Sequence, residues 1–273
     1  MSTKASILSV EHVGRVYDDE EDKRTVALED VSFGVAEGEF VSLIGHSGCG
    51  KTTLLRLIAG LDDPQEGRLL LDGEPIAGSS PERGFVFQQG GLFPWLTVSQ
   101  NIAFGLKARG TYDTRSADVD EYLRLIGLDG FGDSCPHQIS GGMAQRVAIA
   151  RSLINNPRVL LLDEPMGALD SFTRADLQDK LLALRERNHT TMILVTHDVD
   201  EAVYLSDRIV LMAPRPGRVS EEIRVDIARP RDRTSDGFLA LRTRILDKLH
   251  LAGVGAEASD AAPADDAGLV ATR

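Results

Sequence analysis

The spacing of apolar residues changes several times along the chain, and each change marks an element. Residues 7–16 alternate between apolar and polar, the pattern of a strand with one buried face. Residues 39–45 (EFVSLIG) are apolar with little alternation and stop at glycine, which predicts a buried strand. Helical spacing takes over at 51–59, and Gly60 is placed to end that helix. Short strands are predicted at 68–72 and 84–87. Between 89 and 155 the period is helical. Thr97 can cap a helix running through Leu106, and a second helix covers 117–126. A third begins after Ser140, with Met143, Val147, Ala150 and Ile154 on one face and Pro157 as its stop. Strands return at 159–162 and 191–195, separated by a helix over 171–188. Asp198 and Glu201 form an Asp-x-x-Glu start signal for a helix through Leu205. Phe238, Leu241, Ile245 and Leu249 predict a last amphipathic helix, and beyond Gly253 the Ala-, Asp- and Gly-rich chain is expected to be disordered. Short apolar strands alternating with helices predict an α/β fold with a mostly parallel sheet, interrupted by a helical insert. No internal repeat is found, so the chain is one unit and not a tandem pair.

Composition narrows the function classes. The chain has 273 residues, enough for one large domain or a core with an inserted subdomain. Its formal charge of -12 argues against nucleic acid as the main partner, because neutralising phosphates needs a basic face. The five acids from Asp18 to Asp22 read as a solvated loop. Two cysteines, Cys49 and Cys135, make no disulfide framework and suit a reducing compartment. The first ten residues lack the pattern of a signal peptide, and no segment reaches the roughly 18 uninterrupted apolar residues that span a bilayer. Any membrane role is expected to come through a partner.

Two motifs carry chemistry. Gly45-His46-Ser47-Gly48-Cys49-Gly50-Lys51-Thr52 fits G-x-x-x-x-G-K-[ST], with Thr53 beside it in the predicted nucleotide-binding set. Its glycines let the backbone curl so that N–H groups point at phosphate oxygens, and the following helix offers its positive end to the same anion. Lys51 can reach the β- and γ-phosphates, and the Thr52 hydroxyl can ligate Mg²⁺. His46 and Cys49 fill variable positions of the pattern. The second motif, Val159-Leu160-Leu161-Leu162-Asp163-Glu164, ends a buried strand with two carboxylates, where open α/β sheets bind ligands. Asp163 can hold Mg²⁺ through its water shell, and Glu164 can orient an attacking water or accept its proton.

Residues 139–151, Ile-Ser-Gly-Gly-Met-Ala-Gln-Arg-Val-Ala-Ile-Ala-Arg, resemble the signature sequence of ATP-binding-cassette (ABC) ATPases. Taken alone, Ser-Gly-Gly reads as a flexible turn before a helix. Ser140 can also cap a helix whose N–H groups face outward over Gly141 and Gly142, a second anion site separate from the first. Met143 departs from the family's usual Gln, which puts any hydrogen bond from that side chain in doubt. The resemblance runs from about residue 7 to 231. It implies that Tyr17 stacks on adenine, that Gln88 senses Mg²⁺ and the attacking water, and that Ala168-Leu169-Asp170 crosses a dimer interface. It also implies that His197 contacts the γ-phosphate. Leu92-Phe93-Pro94-Trp95-Leu96-Thr97-Val98 and Asn101-Ile102-Ala103-Phe104-Gly105-Leu106 look like the importers of nitrate, sulfonates and taurine. For Phe93 and Trp95 the plainer reading is packing beneath the glutamine loop.

The resemblance implies a P-loop core at 1–88 and 156–225 with an N-terminal antiparallel β portion. The helical signature subdomain falls at 89–155, a C-terminal helical extension at 226–252 and the tail at 253–273. It implies a head-to-tail homodimer in the ATP-bound state, two transmembrane permease subunits, and indirectly an external solute-binding protein. The chain is then placed at the cytoplasmic face of the inner membrane. A soluble ABC ATPase, a non-hydrolysing cassette, and an ABC subunit for export or another solute are the rival readings. Glu164 and His197, both in place, argue against the non-hydrolysing one.

Overall fold

The computed structural model describes residues 6–18 and 24–260. The acidic stretch 19–22 and residues 261–273 of the expected tail lie outside the described residues. Among the described residues ten strands form two sheets. The first is antiparallel. It contains β1 (Ser6–Asp18), β2 (Arg24–Ala36), β4 (Glu66–Leu71) and β5 (Glu74–Pro75) in the order β2-β1-β4-β5. The second contains β3 (Phe40–Gly45), β6 (Arg83–Val86), β7 (Val159–Asp163), β8 (Thr191–Thr196), β9 (Arg208–Ala213) and β10 (Arg218–Arg224). Its order is β10-β9-β3-β8-β7-β6, with every neighbour parallel except β10. Crossover helices are what make a parallel order possible. They are α1 (Lys51–Ala59) after β3, α5 (Ser171–Asn188) after β7 and α6 (Val199–Leu205) after β8. Three more, α2 (Val98–Ala108), α3 (Tyr112–Leu125) and α4 (Gly141–Leu153), lie between β6 and β7.

The central strands are apolar throughout because they feed two cores. Successive side chains of a strand point to opposite faces. On β7, Leu160 and Leu162 join the core shared with the helical insert, α5 and α6, whereas Val159 and Leu161 join the core under α1 and the antiparallel sheet. β8 divides in the same way, Met192 and Leu194 from Ile193 and Val195, and β3 divides Phe40 and Ile44 from Val41 and Leu43. Truncating any one of these fully buried leucines to alanine would destabilise the fold by roughly 2–5 kcal/mol.

Local signals set the helix ends. Thr97 caps α2 in a full capping box: its hydroxyl accepts from Gln100 N–H at 3.2 Å, and Gln100 Oε1 accepts from Thr97 N–H at 3.0 Å. Gly60 ends α1 in the left-handed region at φ 71°. α3 starts earlier than its apolar pattern, at Tyr112, because its first turn is polar and carries no periodic signal. The last helix, α7 (Asp236–Asp260), continues past Gly253, where the sequence reading ended it; Ala256, Glu257 and Ala258 are strong helix formers. Arginines staple the segment before α7 to the carboxyl end of α6. Arg231 donates to the carbonyls of Val203 (2.7 Å), Tyr204 (3.0 Å) and Ser206 (2.7 Å), and burial pulls its guanidinium down to about 10. Among the described residues no helix is long and apolar enough to cross a membrane.

Candidate functional site

Parallel pairing brings the carboxyl ends of β3, β6, β7 and β8 to one edge, and each delivers one predicted segment there. β3 ends at Gly45 and runs into the glycine loop and α1. Gly50 caps α1 at φ 87°, where a side chain would be strained and an added Cβ would also lie 2.5 Å from Leu28 Cδ2. The loop is braced from behind: a Cβ on Gly217 would come within 2.2 Å of the Cys49 carbonyl oxygen. His46, Ser47 and Gly48 are exposed, whereas Cys49 is buried. Burial pushes the Cys49 thiol up, against the pull of Lys51, so it is poorly reactive where it stands.

Lys51 is 93% removed from solvent (7% exposed), and its ammonium donates to the carbonyls of Gly45 at 2.7 Å and His46 at 3.0 Å. Among the described residues it forms no ion pair with a carboxylate, so a buried cation on a flexible stem faces the loop with carbonyl partners. That is the electrostatic demand a phosphate meets. At the next residue, Thr52 Oγ1 donates to Asp163 Oδ1 at 3.0 Å, with Thr53 half-buried beside it. Asp163 ends β7 and is 9% exposed; burial raises its pKa, with Thr52 and Lys51 opposing and Glu164 adding. A cation beside it would restore the charged form. The oxygen pair fits Mg²⁺, which binds through one or two protein oxygens, water and phosphate. No cluster of three or more His, Cys, Asp or Glu suited to a metal occurs among the described residues, so a dedicated protein cage is not what these residues build.

The next residue gathers the remaining candidates. Glu164 holds φ at 42°, a left-handed conformation that costs a non-glycine residue about 1–3 kcal/mol and concentrates at functional sites. Its N–H donates to the Val195 carbonyl at 2.9 Å, fixing the strained residue to β8. Its Oε2 then receives Gln88 Nε2 at 3.3 Å, from beyond β6, and stands 3.3 Å from His197 Nδ1, from beyond β8. Three residues that are distant in sequence therefore meet on one carboxylate oxygen.

The other predicted residues lie apart from this constellation. Ser140 caps α4, its hydroxyl accepting from Met143 N–H at 3.3 Å, and no hydrogen bond among the described residues joins 140–142 to 45–52 or 163–164. The two signature glycines differ. A Cβ on Gly142 would strike Thr173 Cγ2 at 2.3 Å, so Gly142 permits α4 to approach α5, whereas a Cβ on Gly141 meets nothing within 4 Å. Met143 packs half-buried against the core, which explains an apolar residue there. Asp170 caps α5, accepting from Phe172 and Thr173 N–H at 3.0 Å each and from the Thr173 hydroxyl at 2.6 Å. Tyr17, next to last in β1, lies opposite Thr25; Arg15 lies over its ring at 4.8 Å, and its hydroxyl donates to Asp62 at 3.1 Å.

Sequence reasoning missed the grip of α4 on the loop after Gln88. Gln145 Nε2 donates to the Phe87 carbonyl at 3.3 Å, and its Oε1 accepts from Gly90 N–H at 3.0 Å. Arg151 donates to the carbonyls of Gly91 at 3.0 Å and Gly90 at 3.1 Å. The signal was faint: polar residues on a helix otherwise facing the core. Beside this loop a groove of about 510 Å³ is lined by Arg83, Phe85, Phe87, Phe93, Phe104 and Arg109. Trp95, whose ring is tilted by 41° against that of Phe93 at 5.6 Å, is 74% exposed, so it does not pack beneath the loop.

Comparison with known proteins gives one answer. A family model described as ABC transporter matches residues 28–167. An uncharacterized ABC transporter ATP-binding protein of Methanocaldococcus jannaschii is 49% identical over 243 residues, covering 89% of this chain and 91% of that protein. The aliphatic sulfonates import ATP-binding protein SsuB of Bacillus thuringiensis subsp. konkukian is 51% identical over 227 residues, covering 83% and 90%, and that of Bacillus subtilis is 46% identical over 229 residues, covering 84% and 89%. Among solved structures, a dimeric ATP-binding cassette in a post-hydrolysis state bound to ADP and Pi superposes with a TM-score of 0.70 at 34% identity, covering 81% of this chain and all of that one. The chain belongs to the ABC transporter family, as one of its ATP-binding, ATP-hydrolysing subunits.

Proposed function

We propose that this subunit hydrolyses Mg-ATP to power uptake of a small oxyanion of the sulfonate, taurine or nitrate kind. The convergence of Gln88 and His197 on Glu164, next to the Thr52–Asp163 pair and the Lys51 loop, carries the reading. The roles are those the family resemblance implies, and the placement of the residues supports them. The loop 45–50, Lys51, Thr52 and Thr53 hold the phosphates, and Tyr17 faces the base. Thr52 and Asp163, with Gln88 nearby, would hold Mg²⁺, which would supply positive charge to offset that of the phosphates. Glu164 orients the attacking water and takes its proton; Gln88 and His197 fix the carboxylate and face the terminal phosphate.

The signature residues need a second copy. Ser140, Gly141 and Gly142 stand apart from the phosphate loop of their own chain, and Gly141 opens onto free space. In a head-to-tail pair related by a two-fold axis, they complete the partner's nucleotide site, with Asp170 at the junction. The dimeric cassette to which this chain is similar supports that arrangement. The aromatic groove beside Trp95 is the surface for one membrane-spanning permease subunit, so that the dimer engages two. Through Gln145 and Arg151, a movement of α4 carries the Gln88 loop with it, linking groove and site. The division into a nucleotide-binding part (1–88 and 156–225), a helical part (89–155) and a C-terminal extension follows this mechanics. The permease would hold the chain at the cytoplasmic face of the inner membrane, and an external binding protein would choose the solute. Relatives named for aliphatic sulfonate import support that solute class.

Two experiments test it. Tagged protein recovered from mild-detergent extracts of its own host should bring a multi-spanning membrane protein with it; only soluble partners would refute the transport role. Glu164→Gln should bind ATP yet turn over at least about 100-fold more slowly. Near wild-type turnover would remove Glu164 as the base.

A further inference from the structure

The loop that carries Asp170 leaves β7, the loop that carries His197 leaves its neighbour β8, and one side chain ties the two together. Arg174, in the first turn of α5, donates through Nη2 to the Leu169 carbonyl at 3.1 Å and through Nη1 to Asp198 Oδ2 at 3.2 Å. Asp198 passes the restraint on. Its Oδ1 accepts Glu201 N–H at 3.2 Å, capping α6, and its own N–H donates to Thr196 Oγ1 at 3.0 Å. His197 is thus held between two tethered neighbours, with its ring 3.3 Å from Glu164. On the other side, Leu169 N–H is bonded to the Met166 carbonyl at 3.2 Å and Gly167 N–H to the Glu164 carbonyl at 3.2 Å, so the loop is a chain of turns running back to Glu164. Glu164, His197, Arg174 and Asp198 line one cavity of about 300 Å³.

We propose that Arg174 is a positioning residue for hydrolysis: by holding Leu169 and Asp198 at once, it keeps Glu164 and His197 in register. The inference rests on the reading of Glu164 and His197 as the hydrolytic pair. A guanidinium suits the task because its planar fork makes two divergent bonds, whereas an ammonium is a single point charge. The ion pair itself is weak support for folding, since its side chains are 34% and 31% exposed and solvent screens them. Its effect falls on geometry, where a small displacement of reacting groups is expensive. In the proposed dimer, Asp170 sits at the junction with the second copy. The clamp then makes the placement of His197 depend on the state of that junction.

The test uses the full-length chain with four variants: Arg174→Ala, Arg174→Lys, Asp198→Asn and the Arg174→Ala/Asp198→Asn double. Asn keeps the α6 cap and removes the ion pair. Arg174→Ala should lower kcat roughly 10- to 100-fold with KM for ATP and the thermal midpoint unchanged. Arg174→Lys should fail to restore kcat, and the double variant should lose no more than the worse single. The ring-nitrogen resonances of His197, followed in 15N-histidine-labelled protein, should shift in Arg174→Ala. Wild-type kcat in Arg174→Ala or in Arg174→Lys would overturn the proposal, as would losses that multiply in the double variant. If Arg174→Ala does not fold, Arg174→Lys and Asp198→Asn carry the same readouts. A wild-type chain without ATP turnover would refute the hydrolytic reading instead, and unmoved His197 resonances would then overturn the clamp by themselves.

Discussion

Burying Glu201 gives the fold a pH dependence that one substitution should remove. The side chain is 4% exposed on α6, and its Oε1 has no hydrogen-bond partner. Burial foremost, and the negative Asp198 after it, push its carboxyl up to about 7; the Thr196 hydroxyl, the Arg174 guanidinium and the Gln178 amide pull the other way. Gln178 is in turn held by Arg233, and Asp200 of the same helix is paired with Arg242 of α7. The sign follows from proton counting. Above the ordinary value of 4.5 the unfolded chain releases this proton, but the folded protein keeps it until about 7, so stability falls as pH rises between the two. At about 1.4 kcal/mol per pH unit, the loss over that window is about 3 kcal/mol, with the contribution present in full below 4.5 and gone above about 7. Glutamine is the permanently neutral isostere. The advantage of Glu201→Gln over wild type should grow from under about 1 kcal/mol near pH 5 to about 3 kcal/mol near pH 8. Urea unfolding followed by circular dichroism, in matched buffers without nucleotide, measures it, and taking the difference cancels every other titrating group. A difference that stays flat across that range would refute the burial argument.

The two signature glycines should separate folding from assembly. Gly142→Ala forces its Cβ onto Thr173 and should lose about 1–3 kcal/mol, read as a lower thermal midpoint. Gly141→Ala should leave the midpoint of the isolated chain unchanged and weaken ATP-induced association; a midpoint that falls as far as that of Gly142→Ala would contradict this. Ser140→Arg should bind ATP as a monomer, and an ATP-induced dimer seen by light scattering would disprove the shared site. Half-buried Cys135 should react with a maleimide well before Cys49, whose thiol is sealed inside the phosphate loop and pushed up by burial, and ATP should slow Cys49 further. Labelling of Cys49 first would mean that the loop opens freely.

Motifs whose chemistry is local were legible in the sequence. The phosphate loop, the acid pair at the end of an apolar strand and the caps at Thr97, Ser140 and Asp198 each need only a few adjacent residues. The helix at 171–188 and the strands around it were readable for the same reason. What could not be read depends on which strands lie side by side. The β3-β8-β7-β6 order alone brings Gln88 and His197 onto Glu164, and periodicity says nothing about strand order. Asp198 and Glu201 together read as a helix start signal. Asp198 caps α6 as read, but Glu201 turns inward, because the next layer over α6 is α5 and α7 rather than water. Arg174 and Arg231 carried no signal at all: an arginine in a polar stretch looks like solvated surface until its carbonyl partners are known.

The division of β3, β7 and β8 between two cores has a consequence for how the molecule comes apart. Each of these strands offers alternate side chains to opposite layers, so removing either layer strips half the apolar surface of the same backbone. The antiparallel sheet with α1 and the helical insert therefore share one cooperative unit, with the central strands as its last part to open. Among the described residues, the amide protons of Leu160 to Leu162 and Met192 to Val195 should be the slowest to exchange. Glu164, one residue past Asp163 and bonded to Val195 of β8, is then anchored to the most persistent part of the fold.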